Sequence, residues 1–214
     1  MRPSALTATQ SDNLESLCST DMVAPGSAPP CDVVASAYHE AGHVVAAFVG
    51  GFALSDSTPI SICDPDGGAT TPWVPGDLET RARAHPNARA RFCALKPKLI
   101  VDFAGGAAEY RKTGNGGAAN EGVALDMKMA AESFMRVVGE TTQADRRTWM
   151  GEADSDARRL VDQQWTAIEA IAQALIASKQ LSGAAAYKLY QAGRQPTPPV
   201  VAASGTPAHR SPSI

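Results

Sequence analysis

The chain lacks the features that would place it in several common functional classes. Only 6% of its 214 residues are aromatic, and no apolar run is long enough to span a bilayer. The N-terminus has no apolar region typical of a secretory signal peptide. No Walker A phosphate loop occurs, so we do not expect the chain itself to hydrolyse ATP. A formal net charge of −3 gives no reason to expect nucleic acid or an anionic membrane as a partner, and we expect no direct membrane insertion.

Cysteines and histidines are also scarce, four of each. Cys18, Cys31, Cys63 and Cys93 form no C-x-x-C pair, so we interpret them as reduced thiols of a cytoplasmic protein. Two of the four histidines, by contrast, fall within five residues of each other. The histidines are therefore the informative residues of this composition.

The stretch His39-Glu40-Ala41-Gly42-His43 has the H-E-x-x-H pattern of zinc hydrolases. Apolar periodicity predicts a helix from about Val33 to Val49, with an N-cap at Asp32 and a stop at Gly50. On a helix, His39 and His43 lie one turn apart on the same face and can both bind Zn²⁺. Glu40 beside them can take a proton from a metal-bound water. The alternative is a chance match, with both histidines merely solvated or hydrogen-bonded.

The remaining chain predicts a mainly α fold with a small β-hairpin. The alternating run Ile60-Ser61-Ile62 and a second extended piece at 69–74 would form the hairpin, which either binds an extended peptide or only covers the core. Compositional shifts predict a flexible leader over 1–31, a domain over 32–192 and a disordered tail over 193–214. Further helices are predicted at 97–111, with Pro97 in the first turn, at 121–138, at 153–178, and at 182–190, with Ser182 as the cap. The glycine pair at 105–106 weakens the first of these helices, and a close helix–helix crossing would explain it.

Two acids could reach the histidines from other helices. Asp126 falls within an apolar stripe, between Val123 and Ala130, where a carboxylate is costly to bury unless it is paired or binds a metal. A salt bridge or an exposed edge position is the alternative for Asp126. Glu109 follows a Gly-Gly-Ala-Ala stretch, and its longer side chain suits it to accept the free N–H of a ligating histidine.

Several segments, in order, resemble the peptidase domain of the FtsH-type zinc metalloproteases. They are the 37–43 motif, Phe103 to Glu109, and Gly116-Gly117-Ala118-Ala119-Asn120 followed by Asp126. The resemblance implies a zincin-like helical metallopeptidase domain with Asp126 as third zinc ligand. The sequence departs from the family at position 106, where glycine replaces arginine, and in the five residues before Asp126. It also shows no AAA ATPase or transmembrane segments.

These observations predict a zinc-dependent endopeptidase that hydrolyses unfolded or specific protein substrates. His39, His43 and Asp126 would bind Zn²⁺, and Glu40 would be the general base. The substrate would lie extended along Ile60, Ser61 and Ile62. A separate AAA ATPase or self-association could serve substrate delivery. The alternative is a non-catalytic zinc-binding adaptor or regulator of AAA proteases.

Overall fold

Helices dominate the part of the chain that the computed structural model describes, which is residues 32–54, 59–62, 77–114 and 121–194. Within these residues, one small antiparallel sheet joins two short strands, β1 (Ile60–Ser61) and β2 (Gln180–Leu181). None of the described helices is both long and apolar enough to cross a membrane. The helices are α1 (Val33–Val49), α2 (Leu78–Arg83), α3 (Ala88–Thr113), α4 (Glu121–Val137), α5 (Gln143–Gln163), α6 (Trp165–Ser178) and α7 (Gly183–Gly193).

Helix α1 has the bounds that its local signals predict. The Asp32 carboxylate accepts the backbone N–H groups of Val34 and Ala35, each at 3.0 Å, and Gly50 ends the helix. Helix α1 is buried without a break from Ala37 to Ala47, because α3 packs on one side of it and α6 on another. The H-E-x-x-H motif therefore lies inside the fold.

Helix α3 begins earlier than predicted. Pro97 was expected in the first turn, but it lies inside a 26-residue helix that starts at Ala88. The side chain of Asn87 caps this start by accepting the N–H of Ala90 at 2.9 Å. Phe92 and Leu95 are fully buried in the turns that precede Pro97. Their packing offsets the hydrogen bond that a proline removes from a helix.

The long helix predicted at 153–178 is two helices. Helix α5 starts at Gln143, with Thr142 as its cap, and Gln164 leaves helical geometry at φ −108° and ψ 18°. The break lets α5 pack on α3 while α6 packs on α1. Helix α7 begins after Ser182, the predicted cap, whose hydroxyl accepts the N–H of Ala185 at 3.2 Å.

The strand partner of β1 comes from the far end of the described chain. Ile60 pairs with Leu181, and Ser61 pairs with Gln180. Lys179 ends α6 in the left-handed conformation, at φ 64°, and its carbonyl accepts the N–H of Ile62 at 3.1 Å. The small antiparallel sheet is thus present but joins distant segments. The predicted partner at 69–74 lies outside the described residues, as do the leader at 1–31 and residues 195–214 of the predicted tail.

Buried side chains form two apolar clusters. The α1 cluster combines α1 with β1, α6, α7 and the second half of α3, where Val101, Ala104 and Ala108 face it. The aromatic cluster combines α2, α4 and α5 with the first half of α3, and Phe92 and Phe134 lie at its centre. Helix α3 runs through both clusters and connects them.

Candidate metal centre

Three side-chain atoms meet where α1 and α4 approach each other. The Nε2 atom of His39 lies 3.0 Å from Oδ2 of Asp126, and Nε2 of His43 lies 3.1 Å from the same oxygen. The two Nε2 atoms are 3.1 Å apart. The three atoms therefore form a nearly equilateral triangle, and these residues are a possible metal-binding group.

The size of this triangle suits a tetrahedral ion. Ligand atoms about 2.0–2.1 Å from zinc lie about 3.3–3.4 Å from one another in a regular tetrahedron. The separations here, 3.0 and 3.1 Å, are slightly shorter and need only a small outward movement of the donors. Three protein donors on one face of a tetrahedron leave a fourth position open, as in catalytic rather than structural zinc sites.

The hydrogen bonds of the two Nδ1 atoms determine whether the Nε2 atoms, which face the candidate metal centre, carry a lone pair. Nδ1 of His43 lies 2.8 Å from the carbonyl oxygen of Val101, which can only accept a hydrogen bond. Nδ1 of His39 lies 3.0 Å from Oε2 of Glu109 and donates to that carboxylate. In neutral rings with these tautomers, each Nε2 atom carries a lone pair. Two lone pairs and a carboxylate then converge, and the arrangement requires a cation or extra protons.

Without a metal, protons take the place of the cation. Burial lowers the pKa of His39, but hydrogen bonds to Asp126 and Glu109 outweigh it and raise that pKa to about 10. Burial likewise opposes the charged form of His43, yet the hydrogen bond to Asp126 raises its pKa above the ordinary value. Burial raises the pKa of Asp126, but the two imidazoles outweigh it and lower that pKa to about 2. A metal ion would replace these protons.

Glu40 lies on the same helix, between the two histidines in sequence. Its side chain is buried, with only 6% of the residue exposed. The carboxylate is close enough to contribute to the raised pKa of both His39 and His43. This location suits a group that exchanges a proton with a water near the Nε2 atoms.

Close packing of α1 on α3 brings the histidines to their partners. Gly42 lies against the backbone of Ala104, and Gly105 lies against the ring of His43. With no side chains at these points, the helices come near enough for His43 to reach the Val101 carbonyl and for His39 to reach Glu109, which is only 3% exposed. Helix α4, which supplies Asp126, packs on α3 as well.

The predicted substrate residues lie on β1 and directly after it. Ile60, Ser61 and Ile62 are buried, and both isoleucines belong to the α1 cluster. Their side chains are thus part of the core. Any peptide bound along this segment would be held by main-chain groups rather than by these side chains.

Sequence reasoning missed two neighbours of the site. The Val101 carbonyl had no sequence signal, because every residue carries a carbonyl. Lys98 and Asp102 form an ion pair at 2.7 Å on α3, and their i,i+4 spacing would have revealed it. Burial raises the pKa of Asp102 and outweighs the ammonium of Lys98 and the nearby His43, which lower it.

The chain matches no protein-family model and none of the curated proteins. The residues of the candidate metal centre are therefore the basis for proposing a function.

Proposed function

We propose that the chain is a zinc-dependent endopeptidase of the zincin type, with His39, His43 and Asp126 as zinc ligands. Glu40 is the general base. The observation that carries the proposal is the triangle of donor atoms, each pair 3.0 or 3.1 Å apart, in which two of the three donors come from the helix that carries H-E-x-x-H. The resemblance to the FtsH-type peptidase domain supports the same assignment of ligands.

The donor set fits zinc by its chemistry. Two imidazole nitrogens and one carboxylate oxygen are ordinary zinc ligands, and hard ions such as Mg²⁺ prefer oxygen. The Nδ1 atoms of both histidines are engaged, by Glu109 and by the Val101 carbonyl, so both Nε2 atoms are held in the ligating orientation. A structural site would have no need for a carboxylate at position 40.

In the proposed mechanism, zinc held by His39, His43 and Asp126 would lower the pKa of a water molecule and polarise the scissile carbonyl. Glu40 accepts the proton of the attacking water and then delivers it to the leaving nitrogen. Glu109 accepts the Nδ1–H of His39 throughout and keeps that ring from rotating. Val101 performs the same task for His43 through its carbonyl.

The proposed substrates are unfolded chains or flexible segments of proteins. In this proposal the segment at Ile60, Ser61 and Ile62 would take an extended peptide through its main chain, and a folded substrate cannot present one without being unfolded first. A separate AAA ATPase, or self-association of the chain, would serve to deliver substrates to this site. Cleavage of an already unfolded chain should therefore not depend on ATP.

The test compares the wild-type chain with Glu40→Gln on an unfolded casein-like substrate. Wild-type protein should bind about one zinc per chain and cleave, lose cleavage to a chelator, and regain it with zinc. Glu40→Gln should keep the zinc and cleave about 10²–10⁴-fold more slowly, the usual contribution of general acid–base catalysis. The exposed Glu132, on α4, provides the matched control, and Glu132→Gln should cleave as the wild type does.

Two results would contradict the proposal. Glu40→Gln cleaving at the wild-type rate would remove Glu40 from the mechanism. Wild-type protein that binds zinc tightly but cleaves nothing would favour the non-catalytic adaptor.

A further inference from the structure

Helix α3 lies directly against the metal centre at Gly105. A Cβ atom built at this position would lie 2.3 Å from Nε2 of His43, 2.6 Å from its Cε1 and 2.8 Å from its Cδ2. Atoms that are not bonded cannot come this close. The His43 ring thus occupies the space that any other residue type at position 105 would fill. The same Nε2 atom is one of the three converging donors.

Three glycines of this helix crossing have different neighbours. A Cβ at Gly42 would lie 2.3 Å from the carbonyl oxygen of Ala104, so the clash would be with backbone. A Cβ at Gly106 would lie 3.3 Å from the two γ-carbons of Val123, a contact that a small adjustment relieves. Only at Gly105, among the three, is the obstacle the outer end of a histidine ring.

We propose that Gly105 is a positioning residue of the metal centre, because its missing side chain provides the place for the His43 ring. This inference rests on the metal site of the proposed function. An alanine here should spare the fold, since a side-chain end can rotate away and alanine favours a helix more than glycine does. The rotation would break the hydrogen bond from Nδ1 to the Val101 carbonyl and turn Nε2 away from Asp126.

The experiment compares the full-length chain with Gly105→Ala and, as matched control, Gly106→Ala. Helicity and unfolding temperature of the metal-free proteins report the fold. Competition with a chromophoric chelator gives Kd for Zn²⁺, and the visible absorption of bound Co²⁺ reports the ligand geometry. Gly105→Ala should keep its helicity, raise Kd at least about 100-fold, the upper range for lost outer-shell support, and lose the tetrahedral Co²⁺ spectrum. Gly106→Ala should stay within about threefold of the wild type.

The inference is overturned if Gly105→Ala binds zinc as tightly as the wild type, with the same Co²⁺ spectrum. It is also overturned if Gly105→Ala fails to fold, because the inference requires the His43 ring to move while the fold is kept. A wild-type protein that binds no metal overturns it as well. If the wild type binds zinc, Gly105→Ala does not, and neither cleaves peptides, the inference stands and the peptidase proposal fails.

Discussion

The two apolar clusters are packed with side chains of different size. The α1 cluster is rich in small residues of α1 and α3, among them Ala37, Ala41, Ala104 and Ala108. The aromatic cluster is filled by rings. The ring of Phe92 stacks on that of Trp149 with 5.6 Å between their centroids, and the Phe134 centroid lies 6.3 Å from each of the other two. Small residues allow two backbones to come close, which the histidines need to reach α3. Rings hold α3, α4 and α5 together.

The candidate metal centre combines both clusters. His39 and His43 come from α1, while Asp126 comes from α4, whose buried residues Ala130 and Phe134 belong to the aromatic cluster. A bound ion would thus tie the two clusters together through side chains. Metal should stabilise the fold as any ligand specific for the native state does, by about 4 kcal/mol at a thousand times Kd.

The largest effect should come from removing the ligand on the aromatic-cluster side. Asp126→Ala leaves two histidines on a single helix, so we expect zinc to be lost on dialysis and added zinc no longer to raise the unfolding temperature. Metal content and thermal unfolding with and without zinc measure this. Asp154→Ala is the control, because Asp154 lies on the exposed side of α5 in an ion pair with Arg158. Asp126→Ala that stays loaded with zinc would remove Asp126 from the ligand set.

A smaller effect is expected from opening a cavity in the aromatic cluster. Phe134 is fully buried, so Phe134→Ala should lower the free energy of unfolding by about 3–5 kcal/mol. Met127 lies on the same helix but is 54% exposed, and Met127→Ala should change stability by no more than about 0.5 kcal/mol. Urea unfolding of the metal-free proteins gives both values. Equal losses in the two variants would contradict the burial pattern of α4.

Sequence patterns predicted the elements whose signals are local. The bounds of α1 followed from the Asp32 cap and Gly50, and α7 followed from the Ser182 cap. The partner of β1 could not be predicted, because it depends on where α6 returns the chain. The predicted start of α3 at Pro97 and the predicted continuation of one helix through Gln164 were wrong, because tertiary packing, not propensity, determines where α3 begins and where α5 ends.

The side chains of the candidate metal centre could be predicted from the sequence, but the groups that pack around them could not. His39, Glu40 and His43 form a motif, and Asp126 stood out as an acid within an apolar stripe. The Val101 carbonyl that orients His43 has no residue-type signal. The glycine pair at 105–106 suggested a close helix crossing, but the contact of the His43 ring with Gly105 depends on the tertiary structure.

The metal-free protein should lose stability as pH rises above 6.5, whereas the zinc-loaded protein should not. His39 has its folded-state pKa raised from 6.5 to about 10, so its contribution to stability is complete below pH 6.5 and is lost as pH rises through 10. Asp126 has its pKa lowered from 3.8 to about 2, so its contribution exists above pH 3.8 and is lost as pH falls through 2. The metal-free protein should thus lose stability between pH 6.5 and 10.

Zinc removes this loss, because the bound metal needs neutral imidazoles and competes better as pH rises. The gap between the unfolding temperatures of zinc-loaded and metal-free protein should widen from pH 6.5 upward. His39→Gln should flatten the metal-free profile over this range. His85→Gln, at an exposed histidine, is the control and should keep the wild-type slope. A gap that narrows with rising pH would contradict the proposed exchange of protons for metal.

The smallest effect should come from the outer partner of His39. Glu109→Ala removes the acceptor of the Nδ1–H at 3.0 Å, and zinc affinity should fall about 10–100-fold, or about 1.4–2.7 kcal/mol. Glu109→Gln keeps an acceptor oxygen but loses the charge. Its zinc affinity should therefore fall by about 10-fold rather than about 100-fold. Competition with a chelator measures both variants against the wild type.

The same measurement compares the two histidines, because His43 has a neutral carbonyl where His39 has a carboxylate. A negative acceptor makes the imidazole a stronger ligand than a neutral acceptor does. If Glu109→Gln binds zinc like the wild type, the charge is dispensable and Glu109 orients His39 only as Val101 orients His43. Zinc-free Glu109→Ala beside zinc-loaded Asp126→Ala would instead reverse the roles of the two acids and make Glu109 the ligand.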